Sequence, residues 1–126
     1  MSDEVRVFRS NEAGNAETTQ TPGMTREALV SLPNVWVGRV RTAPGTVSGW
    51  HHHGDYESFI YVVSGQVRLE SGRDGRDVQD AGPGDVIHVP KGAIHRESNL
   101  SSEPQTLFLA RAGSGESVFN VEGPEK

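Results

Sequence analysis

The chain has 126 residues, a length that suits one domain with a modest core. Its formal net charge is −5, so neither nucleic acid nor an anionic membrane is expected as a partner. The sequence contains no cysteine, which excludes disulfides and thiolate metal sites and leaves nitrogen and oxygen atoms to bind any metal ion.

The first quarter of the chain has only weak secondary-structure patterns. The chain's first residues lack the apolar segment of a signal peptide, and no run in the chain is long enough for a membrane span, so we expect a cytoplasmic protein. Residues 5–8 are a candidate first strand. Residues 10–24 are polar and aperiodic, which predicts a loop or arm. Residues 25–32 begin with a helix-capping pattern and end at a proline, so they are expected to form one helical turn or a strand.

The remainder of the chain predicts short strands separated by turns. These strands are expected at residues 35–42, 57–63, 66–71, 76–79, 85–89, 94–97 and 105–111. The Ser64-Gly65 turn predicts a hairpin between the second and third of them. The segment 113–126 is expected to be loop-like or arm-like, with a possible edge strand. Strands at this spacing predict an all-β sandwich or barrel, a single domain over residues 1–126 with its core at about residues 35–112.

Three consecutive histidines precede Glu57 and a strand pattern. Side chains alternate between the two faces of an extended chain, so His51 and His53 are expected to point one way and His52 the other. Glu57 shares the face of His51 and His53 if the intervening turn keeps the count even. Imidazole and carboxylate groups are ligands that a borderline metal ion accepts, so His51, His53 and Glu57 are candidate metal ligands.

A second segment, residues 84–99, contains His95 just after a Pro-Lys-Gly turn. If this segment folds against the first, three imidazoles and one carboxylate surround a single point. His88 lies within a predicted strand, where it is either an acid or base lining a pocket or a buried polar residue. Phe59 and Tyr61 follow the candidate glutamate at alternate positions, so they are candidates to line the same pocket.

The two segments together resemble the paired motifs of the cupin superfamily. The first motif, G-x5-HxH-x3,4-E-x6-G, is matched by Gly45, His51, His53 and Glu57. The second motif, G-x5-PxG-x2-H-x3-N, is matched by Gly84, Pro90, Gly92, His95 and Asn99. Gly65, the last glycine of the first motif, comes one residue late. Counting back from Gly65 places Ser58 instead of Glu57 at the ligand position.

The resemblance implies a small antiparallel jelly-roll barrel, also called a double-stranded β-helix. It implies that His51, His53, Glu57 and His95 bind one divalent transition metal ion, and Fe, Mn, Ni, Cu and Zn are all compatible with these ligands. A small organic molecule is expected in the barrel mouth. The resemblance also implies a homodimer, for which four residues on predicted strands supply apolar surface: Trp36, Val40, Phe108 and Leu109.

Three functions are compatible with such a site. The first is a metal-dependent enzyme, by resemblance an oxygenase acting on a small organic molecule. The second is a ligand-binding or sensor domain that performs no turnover. The third is a metal-dependent isomerase or lyase, which uses the same site and differs in the fate of the substrate.

Overall fold

The computed structural model describes residues 4–12, 14–17 and 21–126. Within these residues the chain forms a short 3-10 helix, Ser10–Glu12, and eleven β-strands. The strands in chain order are β1 Gly14–Glu17, β2 Met24–Leu32, β3 Val35–Thr42, β4 His51–His52, β5 Glu57–Ser64, β6 Val67–Ser71, β7 Asp77–Ala81, β8 Val86–Val89, β9 His95–Ser98, β10 Gln105–Ala112 and β11 Phe119–Asn120.

The strands form two antiparallel sheets. The first sheet has six strands in the order β1-β2-β3-β10-β5-β8, and the second has five strands in the order β11-β4-β9-β6-β7. Strands that follow one another in the chain often lie in different sheets, so the chain crosses repeatedly from one sheet to the other. This architecture confirms the expected all-β jelly-roll barrel.

The hydrophobic core follows from alternation along the strands. In β10, Leu107 and Leu109 are 2% and 3% exposed, whereas Phe108 between them is 39% exposed. Apolar side chains from both sheets meet them in one cluster, which contains Met24, Val40, Ile60, Val62, Val67, Ala81, Val89, Leu107 and Leu109. Alternate residues of β10 therefore face the core and the outer surface, as the period of two in an extended strand requires.

The strands predicted between residues 35 and 111 are confirmed, with ends shifted by no more than two residues. The segment at residues 25–32 is a strand, β2. Residues 5–8 are not a strand, so that prediction was wrong. The segment 10–24 was expected to be a loop, yet its described part contains the 3-10 helix and β1, and residues 13 and 18–20 lie outside the described residues. The edge strand expected after residue 113 is β11.

The expected hairpin between β5 and β6 is wrong. β5 pairs with β8 and β10 in the first sheet, whereas β6 pairs with β7 and β9 in the second. The Ser64-Gly65 turn instead carries the chain from one sheet to the other. Gly65 has a positive φ of 84°, and a Cβ there would lie 2.7 Å from the carbonyl oxygen of Pro104. A turn of this length in the sequence does not reveal whether the next strand stays in the same sheet.

Asn99 joins the end of β9 to the opposite sheet. Its side chain is fully buried, and its Nδ2 donates hydrogen bonds to the carbonyl oxygens of Thr42 at 3.1 Å and Glu103 at 2.9 Å. Its Oδ1 accepts a hydrogen bond from the hydroxyl of Ser101. These hydrogen bonds to the backbone hold the end of the strand that carries His95.

Candidate metal centre

Three buried histidines meet inside the barrel. His51 lies on β4 directly opposite His95 on β9, and His53 follows two residues after His51 on the same side of the chain. All three are at most 5% exposed, and one ring nitrogen from each lies within 4.8 Å of the other two. The two sequence segments therefore meet at one point, and these three side chains could hold a metal ion.

Hydrogen bonds to the backbone orient all three rings. The Nδ1 atoms of His51, His53 and His95 lie 2.8, 2.7 and 2.9 Å from the carbonyl oxygens of Gly49, Ser117 and Ala93 respectively. A carbonyl oxygen only accepts hydrogen bonds, so each Nδ1 carries the proton and donates. Each ring therefore retains Nε2 as its unprotonated nitrogen, which is free to bind a metal ion.

The environment of the cluster lowers the pKa of His51 and of His53 and so keeps these two imidazoles neutral. Burial, followed by the positive charge of Arg111, lowers the pKa of His53 to about 2. Burial, followed by the proximity of His95, also lowers the pKa of His51. Only a neutral imidazole offers a lone pair to a metal ion, so both rings remain competent ligands at neutral pH.

The structure does not bring Glu57 to the three imidazoles. Its side chain is 41% exposed on the outer face of β5, and its Oε2 lies 3.1 Å from Nε2 of His88. Ser58, the next residue, faces the interior and is 1% exposed. The turn after His53 contains Gly54 with a positive φ of 58°, so the alternation of faces does not continue through it.

Two aromatic residues that follow Glu57 on β5 also lie on the outer face of the sheet. Phe59 and Tyr61 are 49% and 47% exposed, so the expectation that they line the interior pocket is wrong. The ring of His88 stacks on Phe59 with centroids 4.8 Å apart. His52 points away from the cluster as expected, and its ring stacks on Phe119 at 4.9 Å.

Three interior charged residues beside the histidines, Arg26, Glu97 and Arg111, were not singled out from the sequence, whereas Ser58 was named there as an alternative ligand position. Arg26, Ser58, Glu97 and Arg111 line the same interior space as His53 and His95. Alternation contained the signal, since Arg111 is two residues beyond buried Leu109 and Glu97 is two residues beyond His95. Charged residues at strand ends are usually exposed, which is why this signal was overlooked.

Two larger cavities border the cluster. One, of about 370 Å³, lies between β6, β7 and β8 and is lined in part by His95 and Ala93. The other, of about 240 Å³, is lined by Arg26, Arg111 and Ser117 together with apolar residues. Because the carbonyl of Ser117 accepts the hydrogen bond from His53, this second cavity adjoins the cluster directly.

The fold and the cluster together define a small β-barrel whose interior offers three histidines to a metal ion. Residues 38–110 match the sequence profile of the family described as Cupin domain, and the chain belongs to that family. No match was found among curated proteins. Within the described residues, no helix has the length and apolar character needed to cross a membrane.

Solved structures agree with this family assignment. A conserved protein with a double-stranded β-helix domain from Klebsiella pneumoniae has a TM-score of 0.71 and 20% identity, over 94% of this chain and 99% of that one. A cupin sugar phosphate isomerase from Silicibacter pomeroyi has a TM-score of 0.75 and 20% identity, over 92% and 82%. The polyketide cyclase RemF from Streptomyces resistomycificus has a TM-score of 0.75 and 20% identity, over 94% and 86%. At these identities the similarity is one of fold.

Proposed function

We propose that the protein is a metal-dependent enzyme that acts on a small organic molecule, with His51, His53 and His95 holding one divalent transition metal ion. The observation that carries this proposal is the arrangement of the three rings. Each ring is buried, and each donates a hydrogen bond from Nδ1 to a backbone carbonyl oxygen. Such hydrogen bonds are typical of metal-binding histidines, because they fix the tautomer and the ring orientation.

The three imidazoles are suitable ligands for a divalent transition metal ion. Imidazole nitrogen suits Zn, Cu, Fe and Ni, and among the described residues no carboxylate joins the three rings. Three protein ligands leave coordination positions for water or a substrate, which is the pattern of catalytic sites and not of closed structural ones. A divalent ion bound there would polarise a substrate oxygen or activate dioxygen, depending on the metal.

Lewis-acid chemistry such as isomerisation or elimination is the reaction class that this donor set favours. Three neutral imidazoles leave the ion's full positive charge available to a substrate oxygen, whereas many non-haem iron oxygenases use two histidines and a carboxylate. Two similar structures are described as a sugar phosphate isomerase and a polyketide cyclase. The oxygenase expected from the resemblance is the alternative that the same experiment tests.

Metal analysis of protein purified without a chelating resin tests the site. We expect about one divalent ion per chain, with most of it lost in His95→Ala and retained in His52→Ala, the matched control for losing one imidazole. Equal metal content in all three proteins would refute ligation by the three-histidine cluster.

Substrate panels separate the three functions. Anaerobic Fe(II) loading followed by air should give oxygen uptake with a catechol, diketone or thiol only if the protein is an oxygenase. The Lewis-acid proposal predicts product formation without oxygen uptake in Zn(II)- or Mn(II)-loaded protein. Tight binding of a small molecule with no product from any loaded form would instead indicate a sensor.

We also propose that the protein is a homodimer that pairs through the outer face of the six-stranded sheet. Phe59, Tyr61, Val86 and Phe108 are exposed and lie on neighbouring strands of that face. Val40 and Leu109 were expected to contribute but lie in the core, because they occupy the inner positions of their strands. Light scattering at micromolar concentration should report a dimer that Phe108→Asp weakens, and a monomeric wild-type protein would contradict the proposal.

A further inference from the structure

We propose that Arg26 and Arg111 form a carboxylate-binding subsite beside the three-histidine cluster, so that the molecule bound in the barrel is a small carboxylic acid. The proposal names the substrate class of the same site, and its orientation towards a metal ion rests on the proposed function. Binding of the carboxylate to the two arginines does not require the metal ion.

The side chains of Arg26 and Arg111 lie between a cavity and the barrel interior that contains the histidines. Together they line the cavity of about 240 Å³, where Trp36 and Tyr56 are neighbours. They also line the interior space that contains His53 and His95. A molecule held by these two arginines in the cavity therefore lies next to the cluster.

The two interior arginines lack the partners that other arginines of the same sheet have. Arg39 and Arg41 alternate with inward-facing residues of β3 and contact Glu27 at 3.1 Å and 3.0 Å. Among the described residues, no carboxylate lies within 4.0 Å of Arg26 or Arg111. Their charges are therefore not neutralised by a direct ion pair.

Among the described residues, the Nε–H group of Arg26 has no acceptor and that of Arg111 has a long hydrogen bond. The Nε of Arg26 is buried and has no hydrogen-bond partner among the described residues. Arg111 is 7% exposed, and its Nε donates to the hydroxyl of Ser58 at 3.3 Å. A buried donor without an acceptor is costly, so an acceptor supplied by a ligand would recover this free energy.

The net charge of the interior selects an anion. Two guanidinium groups face the single carboxylate of Glu97, which lines the same space and leaves one uncompensated positive charge. Burial lowers the pKa of Arg111 to about 10, with a further contribution from nearby Arg26, so Arg111 stays charged at neutral pH. One negative charge on a ligand would balance the site.

A carboxylate matches this site better than a phosphate does. Either group accepts paired hydrogen bonds from a planar guanidinium. A phosphate monoester carries nearly two negative charges, however, and exceeds the single positive charge available. The remaining wall of the cavity includes Leu32, Val35 and Trp36, which provide apolar contact for the body of an organic acid.

Nitrogen-15 NMR of the wild-type, metal-free protein tests the subsite directly. Titration with benzoate should shift the Nε–H signals of Arg26 and Arg111, and should shift that of Arg26 most because this group has no acceptor in the free protein. Inorganic phosphate should shift them much less. Unchanged signals for both arginines at saturating benzoate would overturn the proposal, and equal or larger shifts with phosphate would overturn the choice of carboxylate.

Variants provide the second measurement. Arg26→Gln and Arg111→Gln should each weaken benzoate binding by calorimetry by about ten- to hundredfold, the usual effect of losing a hydrogen bond to a charged group. Arg76→Gln, which removes an equal charge from a side chain that is 79% exposed, should bind benzoate like wild type. Equal affinity in all four proteins would refute the subsite.

Metal analysis of the same proteins keeps the two proposals separate. Both interior variants should retain about one ion per chain, because neither arginine belongs to the three-histidine cluster. Loss of benzoate binding with full metal content supports the subsite alone. If wild-type protein purified without a chelating resin contains no metal ion and still binds benzoate through the two arginines, the proposed metal centre is refuted and the subsite remains.

Discussion

Acidification from about pH 7 to about pH 5 should destabilise the metal-free protein, and His53 should account for about 2 kcal/mol of the loss. In the folded protein, burial and then Arg111 lower the pKa of His53 to about 2. In the unfolded chain the pKa of a histidine is about 6.5. Between these values the unfolded state binds a proton that the folded state does not, so stability falls as the pH drops below about 6.5.

The magnitude follows from the width of this window. At about pH 5 the solution lies about 1.5 units below the unfolded pKa, and each unit is worth about 1.4 kcal/mol for one group. Acidification should therefore cost about 2 kcal/mol through His53. The lowered pKa of His51 adds a loss in the same direction.

Urea unfolding in the presence of a chelator measures this effect. The free energy of unfolding is compared at the two pH values for wild type and for His53→Gln, which removes the titrating group. The wild-type loss should exceed that of the variant by about 2 kcal/mol, because other titrating groups contribute to both proteins. Equal losses in the two proteins would refute the reasoning from burial.

Four further substitutions test the packing and the boundary of the site. Leu107→Ala, at a position 2% exposed in the core, should lower the free energy of unfolding by about 2–5 kcal/mol in denaturant titrations. Gly65→Ala should lower the free energy of unfolding by more than about 1 kcal/mol, because the φ of Gly65 is positive and a Cβ would meet the Pro104 carbonyl. Gly123→Ala is the control and should be close to neutral, since nothing lies within 4 Å of a Cβ there. Glu57→Gln should change stability by less than about 1 kcal/mol and leave metal content unchanged, since its contact with His88 is half exposed; metal loss in this variant would show that the glutamate is a ligand.

Much of the fold was predictable because it depends on local alternation. β3 and β10 bury every second residue, and a period of two is visible in any sequence that has one buried face. The sheet to which each strand belongs was not predictable, as β5 and β6 show. The turn between them is compatible with either arrangement, and contacts from residues distant in sequence decide between them.

The candidate site was also predictable only in part. Histidine spacing on an extended chain predicted that His51 and His53 share a face, and their meeting with His95 required only that the two segments come together. The face of Glu57 could not be predicted, because one glycine with a positive φ changes the count. Alternation places Arg111 on the inner face of its strand, but it does not reveal whether the strand end is covered, so the burial of Arg111 could not be predicted from the sequence.

The C-terminal segment has a larger role than that of a loose arm. The carbonyl oxygen of Ser117 accepts the hydrogen bond from Nδ1 of His53 that fixes its tautomer, and the ring of Phe119 fills the space that a side chain at Gly54 would occupy. Removing the chain after residue 112 would leave every residue of both sequence motifs in place. It would nevertheless release one of the three rings to rotate and to change which of its nitrogens is protonated, so the geometry of the three-histidine cluster depends on residues that neither motif contains.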